Sequence, residues 1–120
     1  MTYGPPQQYL YEPNAAILKA GGFRSVGAGF GVHKLQEHSH LYTSDVQVSF
    51  PGRAFRILEV LPYSKNNMKA FRGTQANITV RNFPISVAEL RKKHGLKEGG
   101  DRYLFFTTGM DQQKIVIHCR

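Results

Sequence analysis

Nine cationic side chains in the second part of this 120-residue chain make its best case for chemistry. Lys65, Lys69 and Arg72 recur at the spacing of one helix face. Arg91, Lys92 and Lys93 crowd one helix end, and Arg81 points out of a strand. Lys114 and Arg120 fall with His118 on what reads as the outer side of the last strand. Long cations spread over one domain suit contacts with the phosphates of a nucleic acid, an attraction that falls steeply as salt rises. No ladder of aromatics for base stacking accompanies them, so the expectation is recognition of shape and phosphate, not of sequence. The competing reading is a basic surface that does no more than keep the chain soluble.

The other candidates are weaker. Gly27-Ala28-Gly29-Phe30-Gly31, with Asp45 downstream, has the composition of a nucleotide-binding loop. Such a loop must follow a buried strand, and Gly22-Phe23-Arg24-Ser25-Val26 is a poor one. A pliable helix end is expected there, and no cofactor. His33, His38, His40 and Glu37 cluster, but no pair has zinc-motif spacing and no cysteine is near, so a solvated loop without metal is expected. His94 is placed at a helix C-terminus and His118 on an outward face. Cys119 alternates with Ile115 and Ile117 and reads as a small core residue, not a nucleophile. Asn82-Phe83-Pro84-Ile85 has no proline at its second position and no aromatic at its fourth, both of which the Asn-Pro-Pro-aromatic loop of amino-methyltransferases requires; a strand stop explains it. No Ser/His/Asp or paired-carboxylate spacing is present, and no catalytic residue is assigned.

The charge has a location. Residues 1–50 balance Lys19, Arg24 and Lys34 against Glu12, Glu37 and Asp45, whereas residues 51–120 carry thirteen basic residues against five acidic ones. The whole net charge of +8 therefore belongs to the second part. Apolar residues make up 41% of the chain, enough for a core without Trp. No run approaches the ~18 apolar residues of a membrane span. The start Met1-Thr2-Tyr3-Gly4-Pro5-Pro6 has no basic or apolar region of a secretory signal. With Cys119 as the lone cysteine, a reducing cytoplasm is the expected location, and the acceptor pattern Asn77-Ile78-Thr79 is taken as chance.

The elements that must hold these cations read most clearly in residues 51–120. Arg53 to Leu61 is apolar on both sides and reads as a central, covered strand ended by Pro62. Ser64 caps a short helix with Met68 and Phe71 inward. A strand from Ala76 puts Ile78 and Val80 on one face, and Pro84 stops it. Ser86 and Glu89 form a capping box, Val87 and Leu90 give the helix its apolar stripe, and Gly95 supplies the left-handed residue that ends it. Arg102 to Thr108 and Lys114 to Arg120 make a hairpin. The order β-α-β-α-β-β predicts an α+β domain, a four-stranded sheet with helices on one face and the other face open. Ahead of it, residues 1–8 read as a flexible leader. Residues 9–50 read as a connecting segment: a strand at Tyr9-Leu10-Tyr11, a helix capped by Asn14, a second short helix around Phe23, Val26 and Phe30, then strands over Val32–Gln36 and His40–Thr43. A linker is expected between Ser44-Asp45 and Gly52.

Residues Tyr9 to Gly21 and His40 to Asp45 are similar to a segment that follows the catalytic domain in a bacterial family of class I S-adenosylmethionine-dependent methyltransferases. Arg53 to Tyr63, Ile78 to Leu96 and Tyr103 to Thr108 resemble the THUMP-like C-terminal domain of the same proteins. The resemblance implies a ferredoxin-like segment over residues 9–50 and a THUMP-like domain over 51–120. It also implies an upstream methyltransferase domain of the same protein, which would hold the S-adenosylmethionine. True THUMP domains help RNA-modifying enzymes hold structured RNA such as tRNA. The element order also resembles the C-terminal domain of bacterial translation initiation factor three, at the level of fold.

Two expectations follow. In the first, the chain is a non-catalytic accessory region that binds structured RNA, tRNA or rRNA, through phosphates and presents it to the catalytic domain. In the second, it is a protein-interaction or dimerisation module that docks on the catalytic domain without binding RNA.

Overall fold

A computed structural model describes residues 2–14 and 31–120. The strands are β1 (Tyr9–Pro13), β2 (His33–Lys34), β3 (Tyr42–Ser44), β4 (Gly52–Pro62), β5 (Asn77–Arg81), β6 (Tyr103–Thr108) and β7 (Lys114–Cys119). The helices are α1 (Lys65–Met68), continued by a 3-10 turn over Lys69–Phe71, and α2 (Val87–His94). The expected helices over residues 15–30, and most of the Gly27–Gly31 loop, lie outside the described residues. The strands expected over Val32–Gln36 and His40–Thr43 form as the shorter β2 and β3.

Residues 51–120 follow the predicted β-α-β-α-β-β order, and the chain is α+β. The sheet, however, has seven strands, not four, in the order β2-β3-β1-β4-β7-β6-β5. β4 is the reason. Its eleven residues span two partners: the first half pairs with β1 (Leu10 opposite Phe55) and the second with β7 (Val60 opposite Ile117). One strand thus belongs to both segments. β5 and β6 run parallel, joined by the crossover through α2, and the other pairs are antiparallel.

The face expected to be open is covered. α1 and α2 bury Met68, Phe71 and Leu90 against Leu104, Phe106 and Val116. On the opposite face Leu10, Leu35 and Leu41 pack over Phe55, Phe105, Ile117 and Cys119. The residues before β4 therefore close the second face, as sheet geometry requires when Phe105, Ile115 and Ile117 all project there. A third cluster, Tyr11, Val32 and Tyr42 with Phe50, fills the far end.

β4 departs from its reading as a covered strand. The register skips between Ile57 and Glu59, so Leu58 is an extra residue in a bulge. Leu58 and Val60 are left 48% and 38% exposed. On the edge away from β7, the last backbone bond of β4 runs from the Ile57 N–H to the Gln8 carbonyl.

Candidate functional site

Local signals place the two basic helices. Ser64 Oγ accepts the Asn67 N–H at 3.0 Å and starts α1. Ser86 Oγ accepts the Glu89 N–H at 3.2 Å while Glu89 Oε1 accepts the Ser86 N–H at 3.4 Å, completing the predicted capping box. Gly95 closes α2 with φ 66°. Leu90 and His94 face the core. At about 100° per residue, Arg91 and Lys93 then fall on opposite flanks of that buried face, and Lys92 points to solvent. The three neighbouring cations consequently part company.

The Lys93 flank faces α1. Lys65, Lys69, Arg72 and Lys93, with Met68 and His94, line a groove of about 360 Å³. The four cations are exposed, whereas Met68 and His94 are buried and form the floor. No carboxylate lines it, and among the described residues none of the four cations is ion-paired. The stem of Arg72 lies on the end of α2: a Cβ on Gly95 would stand 3.3 Å from Arg72 Cγ and 3.6 Å from Nη1. The Tyr63 hydroxyl lies 2.7 Å from His94 Nε2 and holds the ring. Burial first, then Lys93 and Arg72, hold the His94 pKa below the ordinary histidine value. His94 is thus a neutral floor beneath a cationic rim at neutral pH.

The other predicted cations are elsewhere. Arg91 Nη2 donates to the Ala76 carbonyl at 3.1 Å and Nη1 to the Lys97 carbonyl at 2.9 Å, satisfying backbone acceptors. Arg81 Nη2 donates to Glu12 Oε2 at 2.7 Å, a carboxylate it shares with Arg53, so its charge is partly offset there. Arg120 lies 3.8 Å from Asp101, both largely exposed. Lys114 lines a second groove of about 470 Å³ with Asn82, Phe83, Pro84 and Thr108. The proposed outer side of β7 needs correction: Val116, between Lys114 and His118, is in the core under the helices. His118 is accordingly not outward. It packs edge-on to Phe71, takes the Arg102 Nε–H at 3.2 Å and sits 3.5 Å from Glu59.

Sequence reasoning noted His94 but gave it no part in a site, and it missed Met68 as a floor. The signal was present, since Met68 shares a helix face with Phe71 between two lysines. Cys119 is the buried core residue expected, with its thiol pushed up to about 12 by burial. His38 reaches Glu37 at 3.8 Å on an exposed loop, while the His33 ring bonds Thr2. Among the described residues no three His, Cys, Asp or Glu side chains gather as a metal site, and no helix is long and apolar enough to cross a membrane.

Comparison with known proteins adds a family. Residues 52–120 match a family model described as THUMP domain-like, and residues 9–51 match one described as a ferredoxin-like domain. The chain is also similar to the crystal structure of a "putative methyltransferase" from Porphyromonas gingivalis W83, at 42% identity and a TM-score of 0.90 over 96% of its own length. It spans 29% of that longer chain. No curated protein matches it.

Proposed function

This chain belongs to the THUMP domain-like family through residues 52–120, and we propose that it is the accessory region with which an S-adenosylmethionine-dependent methyltransferase holds structured RNA. One observation carries the reading: four cations share a groove without a carboxylate, while Arg81 and Arg120 lie beside carboxylates. A concentrated positive field of this kind attracts a polyanion and gives the complex its salt dependence. The likeness to a protein named as a methyltransferase supports a catalytic domain beyond this chain, covering the length the chain does not span. That domain would hold the S-adenosylmethionine and transfer the methyl group. This region's part is to bind and orient the RNA, with residues 9–50 and 51–120 as its ferredoxin-like and THUMP-like units.

Binding of a tRNA mixture measured from 50 to 300 mM salt tests the reading. The parent chain should bind at micromolar Kd or tighter. Charge reversal of Lys65, Lys69, Arg72 and Lys93 together should flatten the salt slope by roughly 0.7–0.9 for each phosphate that is no longer neutralised. An unchanged slope in a variant that remains folded would remove the groove from the site.

A second reading has its own observation. Leu58 and Val60 stand exposed on β4 beside an edge whose pairing with the segment before it ends at Ile57. A chain that docked on its catalytic domain through this patch, with no affinity for RNA, would form a stable complex insensitive to the groove reversal. Sedimentation of the chain with the separately expressed catalytic domain, with and without Leu58→Lys, separates the two.

A further inference from the structure

We propose that the groove between α1 and the end of α2 receives a terminal phosphate monoester, the 5′ end of an RNA, and not a run of internal phosphodiesters. This rests on the RNA-holding reading above and deepens it. The first argument is charge density. Lys65, Lys69, Arg72 and Lys93 converge on one concavity, and the end of α2 opposes them with only about half a negative charge. More than three positive charges remain for one small volume. An internal phosphodiester offers a single charge, and its neighbours lie further along the strand. A phosphate monoester above its second pKa of about 6 is a dianion with three acceptor oxygens at one point.

The second argument is how the donors are held. Arg72 is laid against the Gly95 backbone, which limits the freedom of its stem, and among the described residues its guanidinium has no carboxylate partner. A guanidinium positioned in this way offers two parallel N–H donors to a phosphate. Lys65 and Lys69 reach in as mobile point charges from the α1 side and Lys93 from α2. Met68 and the neutral His94 ring make an uncharged floor on which the sugar and base behind the phosphate can lie. At about 360 Å³ the groove is at the small end of the roughly 300–1,000 Å³ range of ligand pockets, room for one terminal nucleotide.

The test compares one hairpin RNA prepared with a 5′-monophosphate and with a 5′-hydroxyl, titrated against the chain at 150 mM salt, with adenosine 5′-monophosphate as a competitor. The 5′-monophosphate RNA should bind about tenfold more tightly, the effect of one set of charge-assisted hydrogen bonds. Arg72→Gln and, separately, Lys93→Gln should lower its affinity to that of the 5′-hydroxyl RNA. Both variants must unfold at the parent's temperature, and Lys93 is exposed, so at least one is expected to fold. Equal affinity for the two RNA ends overturns the inference and leaves the RNA-holding reading standing. Binding of neither RNA overturns both. Binding of the mononucleotide with no binding of either RNA reassigns the groove to a free nucleotide and likewise overturns the RNA end.

Discussion

Arg81 Nη2 donates to Glu12 Oε2 at 2.7 Å across 69 positions of sequence, and Arg53 takes Oε1 of the same carboxylate at 2.6 Å. Glu12 is 9% exposed, so the pair of arginines satisfies a charge that β1 has carried out of water. Glu12→Gln should destabilise the chain by about 1.5–3 kcal/mol, nearer the lower figure because Arg53 is more than half exposed. Urea unfolding of Glu12→Gln, Arg81→Gln and the double variant measures the coupling. A coupling near zero would mean that the Arg81–Glu12 contact adds nothing to the join already made by the β1–β4 ladder and the shared core.

Gly95 has two independent reasons to be glycine. Its φ of 66° costs an L-residue about 1–2 kcal/mol. A Cβ there would also press on Arg72 Cγ at 3.3 Å. Gly95→Ala should lower stability by about 1–2 kcal/mol and also weaken anion binding in the groove. Gly73→Ala is the control: it shares the positive φ, but its Cβ would meet nothing within 4 Å. Calorimetric titration of the two variants with 5′-phosphorylated RNA should show the weakened binding only for Gly95→Ala.

What the sequence made legible was local. The capping box of Ser86 and Glu89, the stop at Gly95 and the β6–β7 hairpin each lie within a few residues of their cause. The bulge at Leu58 shows in the sequence only as a change of phase, Phe55 and Ile57 being apolar before it and Leu58 and Val60 from it onward, and apolar residues on both sides also read as a covered strand. His118 was misplaced because charged neighbours at Lys114 and Arg120 masked the buried Val116 between them. The seven-stranded sheet was out of reach for a different reason. The pairing of β1 with the first half of β4 joins residues some forty positions apart, and nothing in either segment alone announces it. The site was half legible: the cations were named, but only the helical period around Leu90 and His94 separates Lys93 from Arg91.

Asn82 follows β5 with φ 55°, in the left-handed region, and its side-chain amide donates to Gln36 Oε1 at 3.0 Å. Its carbonyl accepts the Thr108 hydroxyl at 2.6 Å. Asn82→Ala removes the amide hydrogen bond and keeps the strained backbone, so it should cost about 1–2 kcal/mol. Asn82→Gly removes the same hydrogen bond but relaxes the backbone by a similar amount, and should leave stability within about 1 kcal/mol of the parent. Equal destabilisation by the two variants, measured by urea unfolding, would show that the backbone conformation contributes nothing.

Acid should weaken the fold through one buried and two half-buried histidines. Burial is the leading cause that holds His40, His94 and His118 below the ordinary histidine pKa. A group whose folded pKa is depressed binds fewer protons in the folded chain than in the unfolded one as pH falls past about 6.5. Its contribution is therefore full above that pH and is lost as pH drops through the folded value. The melting temperature should be flat from pH 7 to 8 and fall progressively below 6.5. His94→Gln removes one of the three proton uptakes, so its melting temperature should be lower at neutral pH but decline less steeply with acid. Because Lys93 and Arg72 also hold the His94 pKa down, an anion in the groove between them should screen both and make the acid limb shallower for the parent. The same anion should leave the His94→Gln limb unchanged. A sulfate series at constant ionic strength, sulfate being a dianion throughout this pH range, reads the difference, and identical acid limbs for parent and variant would exclude His94 as a contributor.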